Sequence, residues 1–247
     1  MDTDKLPPVL EQQAAAALLA LVTAPPHGED DDGLLRRLVL SAAAVPGVVA
    51  AGCTATAVRD RPPRTAASNE NAARLERLQD EGPGHDAART GRALTDIAMD
   101  HLPHRTRWPR FTRQAREAGF AAVTVLPIGY ADRTSGALSL YHPHGALRPS
   151  DAQWCGALAQ AAAISLAHHV ALHEALTRGD QLQNALDSRV RIEQAKGILA
   201  ERFDCSLQDA FELLRRHART HQMKLADLAH QVITHPADTG PFPGPRH

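Results

Sequence analysis

The long proline-free stretch that begins at Ser150 restricts the fold more than any other feature of this chain. Between Ser150 and Leu176 there is no proline and Gly156 is the only glycine, so nothing in the backbone chemistry stops a helix. Pro149 followed by Ser150 makes a start signal, with Ser150 as N-cap. Trp154, Leu158, Ala161 and Ser165 then recur on one stripe at helical spacing. Gly179-Asp180 is at most a weak break, and Leu182, Ala185, Leu186, Ile192, Ala195 and Leu199 carry an apolar seam beyond it. A seam near heptad spacing points to a coiled-coil homodimer. Ser206 with Asp209 three residues on resembles a capping box, opening a helix that turns Ala210, Leu213, Leu214 and Ala218 inward. A last helix over about Lys224–Ile233 buries Leu225, Leu228, Ala229 and Val232, and a Pro/Gly-rich tail follows that predicts disorder.

Upstream of Ser150 the texture changes to short elements. Leu10–Val22 reads as a helix broken by Pro25-Pro26-His27-Gly28, and the acidic run Glu29–Asp32 reads as a solvated linker or a helix start rather than a metal site. Leu34–Ala43 is a second helix, ended by Val45-Pro46-Gly47. Val48–Val58 has strand character, turns at Arg59–Pro63, and finds a hairpin partner in Arg64–Ser68. Asn69–Leu78 has helical spacing, with Ala72, Leu75 and Leu78 on one side, before a firm break at Gly82-Pro83-Gly84. Ala93–Ala98 and Phe120–Ile128 read as strands, the second nearly continuous in apolar residues and therefore central. Trp108–Gly119 between them is a helix, and Ala137–Tyr141 is a hairpin return. The order predicts an α+β domain, an antiparallel sheet with helices packed on one face.

Bulk properties narrow the function. Hydrophobic residues make up 43% and charged residues 22% of 247, a globular balance. With a formal net charge of -1, any polyanion site must be a local patch. Cys53, Cys155 and Cys205 form no C-x-x-C pair, which fits small apolar residues in a reducing compartment. No secretory leader and no run of 18 apolar residues is read, so the expectation is a cytoplasmic protein with no membrane partner.

Two stretches carry a family resemblance. Ala185-Leu186-x-Ser188-Arg189, Ile192-Glu193-Gln194-Ala195-Lys196-Gly197-Ile198-Leu199, Ala210-Phe211-x-Leu213-Leu214-Arg215 and Lys224-Leu225-x-Asp227-x-Ala229 stand in order at family-like spacing, and Leu182–Ile233 resembles an ANTAR domain. The resemblance implies a long helix followed by two short ones. It also implies binding to paired hairpins in nascent transcripts, which keeps a terminator from forming. Ala67-Ser68-Asn69-Glu70, Gln79-Asp80-Glu81-Gly82-Pro83-Gly84, Arg107-Trp108-Pro109 and Pro127-Ile128 with Gly136-Ala137-Leu138-Ser139-Leu140-Tyr141 resemble a GAF domain, of the kind joined to ANTAR in actinobacteria. Members of that group often carry Cys after Gly-Pro. Gly84 stands there in this chain, which argues against a thiol signal at that position. The implied organisation is an N-terminal extension (1–32), a GAF-like sensor domain (33–172), a helical linker (173–181), an ANTAR-like RNA-binding domain (182–236) and a disordered tail (237–247). The expected fold class is thus α+β, a GAF-like antiparallel sheet with flanking helices, joined by a long helix to a three-helix ANTAR-like bundle.

Hairpin RNA presents phosphates and a loop of bases that can be splayed and stacked, so a binder needs cations and a planar group. Arg189 and Lys196 lie seven apart, two turns along one helix face. Arg215, Arg216 and Arg219 cluster on the next helix, Lys224 follows, and Phe211 is the aromatic at hand. Gly197 inside a helix costs about 1 kcal/mol relative to alanine, which implies close packing or close approach of RNA. These eight residues are the expected RNA site. Composition alone describes the same segment as a solvated face, since residues 181–235 hold eight Arg or Lys against seven Asp or Glu.

Elsewhere the chemistry is thin. His169 and His173 stand at i, i+4 spacing but lack a third ligand, so no metal site is expected. No nucleophile elbow, phosphate loop or carboxylate pair suggests an enzyme, and the cofactor is left unknown by the sequence. The expected partners are RNA, a small-molecule or protein signal at the GAF-like domain, and a second copy of the chain. Two rival outputs are a DNA-binding regulator and a dimeric sensor acting through a protein partner. The last helix argues against DNA, because an acidic residue, Asp227, sits between Lys224 and His230.

Overall fold

A computed structural model describes residues 8–23, 31–56, 63–78, 80–130 and 133–234. The tail 237–247, the turn at 59–62 and the acidic residues Glu29-Asp30 lie outside them. In chain order the elements are α1 (Pro8–Val22), α2 (Asp31–Ala43), β1 (Ala50–Ala55), β2 (Arg64–Ala67), α3 (Glu70–Glu76), α4 (Pro83–Thr90) and β3 (Leu94–Ala98). They continue with α5 (Leu102–Arg107), α6 (Pro109–Glu117), β4 (Ala122–Tyr130), β5 (Arg133–His142), α7 (Pro149–Phe203), α8 (Leu207–Thr220) and α9 (Leu225–Thr234). The fold is a five-stranded antiparallel sheet with helices, then a long helix and two short ones. The chain divides into two compact units between Ala171 and Leu172.

In the first unit the strand order is β2-β1-β5-β4-β3, every pair antiparallel. β5 is the middle strand, with β4 beside it, so the near-continuous apolar run at Phe120–Ile128 is interior but not the centre. Period-two alternation sends successive side chains to opposite faces. Ala51, Cys53, Leu126, Ile128, Leu138 and Leu140 face one core, which they share with Leu21 of α1, Leu34, Leu35 and Leu38 of α2, and Cys155, Leu158 and Ala162 of α7. Ala50, Val123, Val125, Ala137 and Tyr141 face a second core with Ala72 and Leu75 of α3, Ala87 of α4, and Phe111 and Ala115 of α6. Helices therefore cover both faces of the sheet, which corrects the one-sided expectation. The near-continuous apolar strands carried that information, since a sheet buried on both faces has no polar side to alternate.

Gly82-Pro83-Gly84, read as a break, does separate two helices, and it also starts α4, which the sequence reading did not name. Gly82 has φ 134°, open to glycine, and Pro83 takes the first helical turn, where a missing N–H costs nothing. The sequence reading also passed over α5, a six-residue helix with proline at its N-terminal end.

α7 runs unbroken through Gly179-Asp180. One 18-residue window in it is apolar enough to cross a membrane by length and composition, and 44% of that window is buried inside the protein. Its buried side is the Cys155–Leu166 stretch of the first core, the part played by a core helix.

In the second unit Ala195 and Leu199 of α7, Ala210, Leu213, Leu214 and Ala218 of α8, and Leu228, Ala229 and Val232 of α9 form one apolar core. α8 begins at Ser206, whose Oγ accepts from the Asp209 backbone N–H at 3.1 Å, so the capping signal is realised. The seam read along α7 has two fates: Ala195 and Leu199 enter this core, while Leu182 and Leu186 are 67% and 59% exposed.

Candidate functional site

Burial of one face of α8 dictates where its charges go. Ala210, Leu213, Leu214 and Ala218 point inward, so Arg215, Arg216 and Arg219 are all exposed. Arg215 Nη1 lies 3.7 Å from Glu212 Oε1, one turn back on the same helix. Exposed pairs of this kind contribute about 0–1 kcal/mol, so a phosphate can displace the carboxylate at little cost. Lys224 is exposed just before α9, and Arg189 is exposed on α7.

Two of the expected residues meet across elements. The Lys196 ammonium on α7 sits 5.6 Å from the centroid of the Phe211 ring on α8, a cation–π distance. The same ammonium donates to both Glu193 oxygens, at 2.8 and 3.0 Å, and the lysine side chain is only 16% exposed. Phe203, rather than Phe211, is the aromatic packed against the bundle core, which leaves the Phe211 ring half-buried beside its cation. Gly197 is exposed, and a Cβ built on it would meet nothing within 4 Å. Packing inside the bundle thus gives no reason for a glycine there. His217 on α8 stacks on His221 with ring centroids 4.0 Å apart. Burial and then the neighbouring His221 hold the His217 imidazole below its ordinary range, so this histidine adds no charge to the arginine face at neutral pH.

The first unit contains a cavity of about 190 Å³ between the sheet and α3–α4, mostly apolar in its lining with a few polar side chains. At its wall is Glu76, 6% exposed, the last residue of α3. Its Oε2 accepts from Thr54 Oγ1 at 2.8 Å and its Oε1 from the Tyr141 hydroxyl at 2.9 Å, with Ser139 a further hydroxyl partner. Burial pushes the Glu76 carboxyl above the usual carboxylate range, and the three hydroxyls oppose that shift. Gly52 is required beside it, because a Cβ there would come within 2.5 Å of Glu76 Oε1. Gly84, the position of the family cysteine, also lines this cavity. The buried thiols are not poised for reaction: burial and then Asp151 push Cys155 up to about 12, and burial and then Glu76 push Cys53 well above the thiol range.

Sequence reading missed Glu76. One signal was present, since residue 76 is four past Ala72 and so falls on the buried stripe of α3. Of the histidines weighed as metal ligands, His169 Nδ1 lies 3.1 Å from Asp31 Oδ1, an ordinary polar pair between α7 and α2.

Residues 5–166 match the GAF domain family and residues 180–233 match the ANTAR domain family. The fold is similar to the GAF domain of a phosphoenolpyruvate-protein phosphotransferase from Coxiella burnetii, at 14% identity and TM-score 0.53, covering 67% of this chain and 96% of that one. It is also similar to the GAF domain of the Acinetobacter phosphoenolpyruvate-protein phosphotransferase, at 10% identity and TM-score 0.50, covering 67% of this chain and 97% of that one. At such identities the likeness concerns fold alone. No curated protein matches the chain.

Proposed function

The chain belongs to the GAF domain family and carries an ANTAR domain, and from that premise we propose that it is a signal-responsive RNA-binding transcription antiterminator of the cytoplasm. Both domains are of sensing and regulatory type rather than catalytic. In this reading the GAF domain receives a small-molecule or protein signal, and the ANTAR domain binds paired hairpins in a nascent transcript so that a terminator does not form.

The observation that carries the RNA reading is the face formed by Arg215, Arg216 and Arg219, three exposed guanidiniums on a helix whose other side is fixed in a core. Guanidiniums suit phosphate oxygens because their N–H donors match them in a fork. The Lys196–Phe211 pair supplies a cation and a half-exposed ring on which a loop base can stack. Bare backbone at Gly197 allows close approach beside that pair. Arg189 and Lys224 extend the set of cations.

A second copy of the chain is part of the proposal. Leu172, Leu176, Leu182, Leu186 and Val190 are exposed, and their spacing along α7 puts them within one arc of the helix surface. An apolar helix stripe this long is costly in water and is relieved by a matching stripe. Leu186→Glu is expected to shift the chain to monomer in sedimentation. A wild-type chain that is already monomeric would remove this part.

The deciding experiment is binding of the full chain to a labelled RNA with two short hairpins in tandem, beside loop-scrambled RNA and duplex DNA at fixed salt. The expected result is preference for the intact tandem hairpins. Arg216→Ala and Arg219→Ala should each weaken binding and flatten the salt dependence by roughly one unit of slope. Equal binding to all three nucleic acids, or none, would falsify the antiterminator reading and leave DNA or a protein partner as the output.

A further inference from the structure

The cavity beside Glu76 restricts what the sensor domain can receive. Among the described residues it is bounded by two carboxyl groups, Glu76 and Glu81, and by no lysine or arginine. Glu81 Oε1 is occupied by the backbone N–H groups of Arg110 and Phe111, at 2.6 and 2.9 Å, while among the described residues Glu81 Oε2 has no hydrogen-bond partner. Each Glu76 oxygen accepts from a hydroxyl and keeps lone-pair capacity besides. Thr54, Thr56 and Ser139 add hydroxyl oxygens to the same wall, and Leu75, Leu78 and Phe111 supply its apolar surface.

We infer that this cavity is a receptor site for a compact organic cation, a primary ammonium on a short apolar body, with Glu76 as the group that recognises the charge. The inference rests on the reading of the first unit as the sensor and supplies the chemical class of its signal. An anionic ligand would meet two carboxyls and, among the described residues of the lining, no lysine or arginine. A neutral ligand would add no opposite charge to the Glu76 carboxyl, whose two oxygens already accept from hydroxyls. An ammonium donates three hydrogen bonds and accepts none, which complements a wall made of carboxyl and hydroxyl oxygens. Its charge also stabilises an ionised carboxylate at a place where burial otherwise disfavours one, so cation and carboxylate offset each other's desolvation. The one histidine among the lining residues, His85 on α4, has its Nδ1 3.8 Å from Asp86 Oδ1. Gly84 contributes by having no side chain: a Cβ there would stand 3.4 Å from Ser139 Oγ, and anything larger would grow into the cavity.

The test uses n-butylammonium, n-butanol and butyrate, which share a chain and differ in the head group, titrated into the full-length protein at matched ionic strength. Binding is read from the shift in thermal melting. Butylammonium should bind at least about tenfold more tightly than the alcohol or the acid, the ratio expected for one charge-assisted hydrogen bond. Glu76→Gln should abolish that preference. Gly84→Leu should abolish the shift without altering any charge, which guards against a Glu76 variant that simply folds poorly. Equal shifts for the three probes, no shift with butylammonium, or an ammonium preference that survives in Glu76→Gln would each overturn the assignment. Tandem-hairpin RNA binding is measured in the same samples. An ammonium-selective shift that leaves RNA affinity unchanged supports the cation site while removing the link between signal and output, so the two readings fail separately.

Discussion

His142 closes β5 with its side chain 1% exposed, and among the described residues its Nε2 has no hydrogen-bond partner. A buried donor or acceptor left unpaired costs about 1–3 kcal/mol. Burial is the larger influence on its titration and holds the imidazole below its ordinary value of 6.5, with Asp96 pulling weakly the other way. The sign follows from proton counting. Below 6.5 the unfolded chain takes up a proton at this histidine that the folded chain resists, so the contribution of His142 to stability is present above 6.5 and is lost as pH falls through the folded value. Replacing it with leucine removes both the unpaired nitrogen and the titration. His142→Leu is therefore expected to gain stability relative to wild type by more at pH 5 than at pH 8. Urea denaturation at the two values checks this, and an equal difference at both would show that the imidazole does not resist protonation.

Elements show where stability comes from and how much of it can be read. Ser206 caps α8 through its side chain, and loss of such a cap costs about 0.5–2 kcal/mol. Ser206→Ala should lower the stability of the second unit by that amount, whereas Ser206→Asp keeps an acceptor and should not; denaturation followed by circular dichroism distinguishes them. The cap was legible because its three residues of spacing are local, and the same holds for the periodic stripes of α7, α8 and α9. The strands were legible as apolar runs, and the near-continuous run at Phe120–Ile128 also carried the coverage of both faces, which the order of elements did not. Local rules read the break at Gly82-Pro83-Gly84 but not the helix that starts there, since glycine and proline mark a helix start as readily as a break. Glu76 was the least legible residue of the candidate sites. A buried carboxyl is tolerated only when partners satisfy it, and these come from β1 and β5, with Thr54 22 and Tyr141 65 positions away. On the bundle, sequence spacing put Arg215, Arg216 and Arg219 on one helix but could not foresee that Lys196 would be held by Glu193 and Phe211.

At the scale of the whole molecule, the chain has two units, each with an apolar core of its own. Leu21 to Leu166 fill the cores of the first, and Ala195 to Val232 fill that of the second. Between those groups α7 runs through Leu172, Leu176, Leu182, Leu186 and Val190, which are exposed and join no core. Cooperativity requires shared buried contacts, so separate cores imply separate transitions. Calorimetry of the full chain should accordingly resolve two unfolding events. Leu214 is fully buried in the second core, and Leu→Ala at such a site costs about 2–5 kcal/mol through lost burial and the cavity left behind. Leu214→Ala should lower one transition and leave the other within error. If both fall together, the units are coupled through α7 strongly enough to unfold as one, and a signal in the first unit would then have a direct energetic route to the arginine face of α8. If only one falls, the ground-state coupling is weak. Control of RNA binding would then require the signal to favour one of two α7 states, and the exposed apolar stripe is the segment whose pairing with a second copy can differ between them.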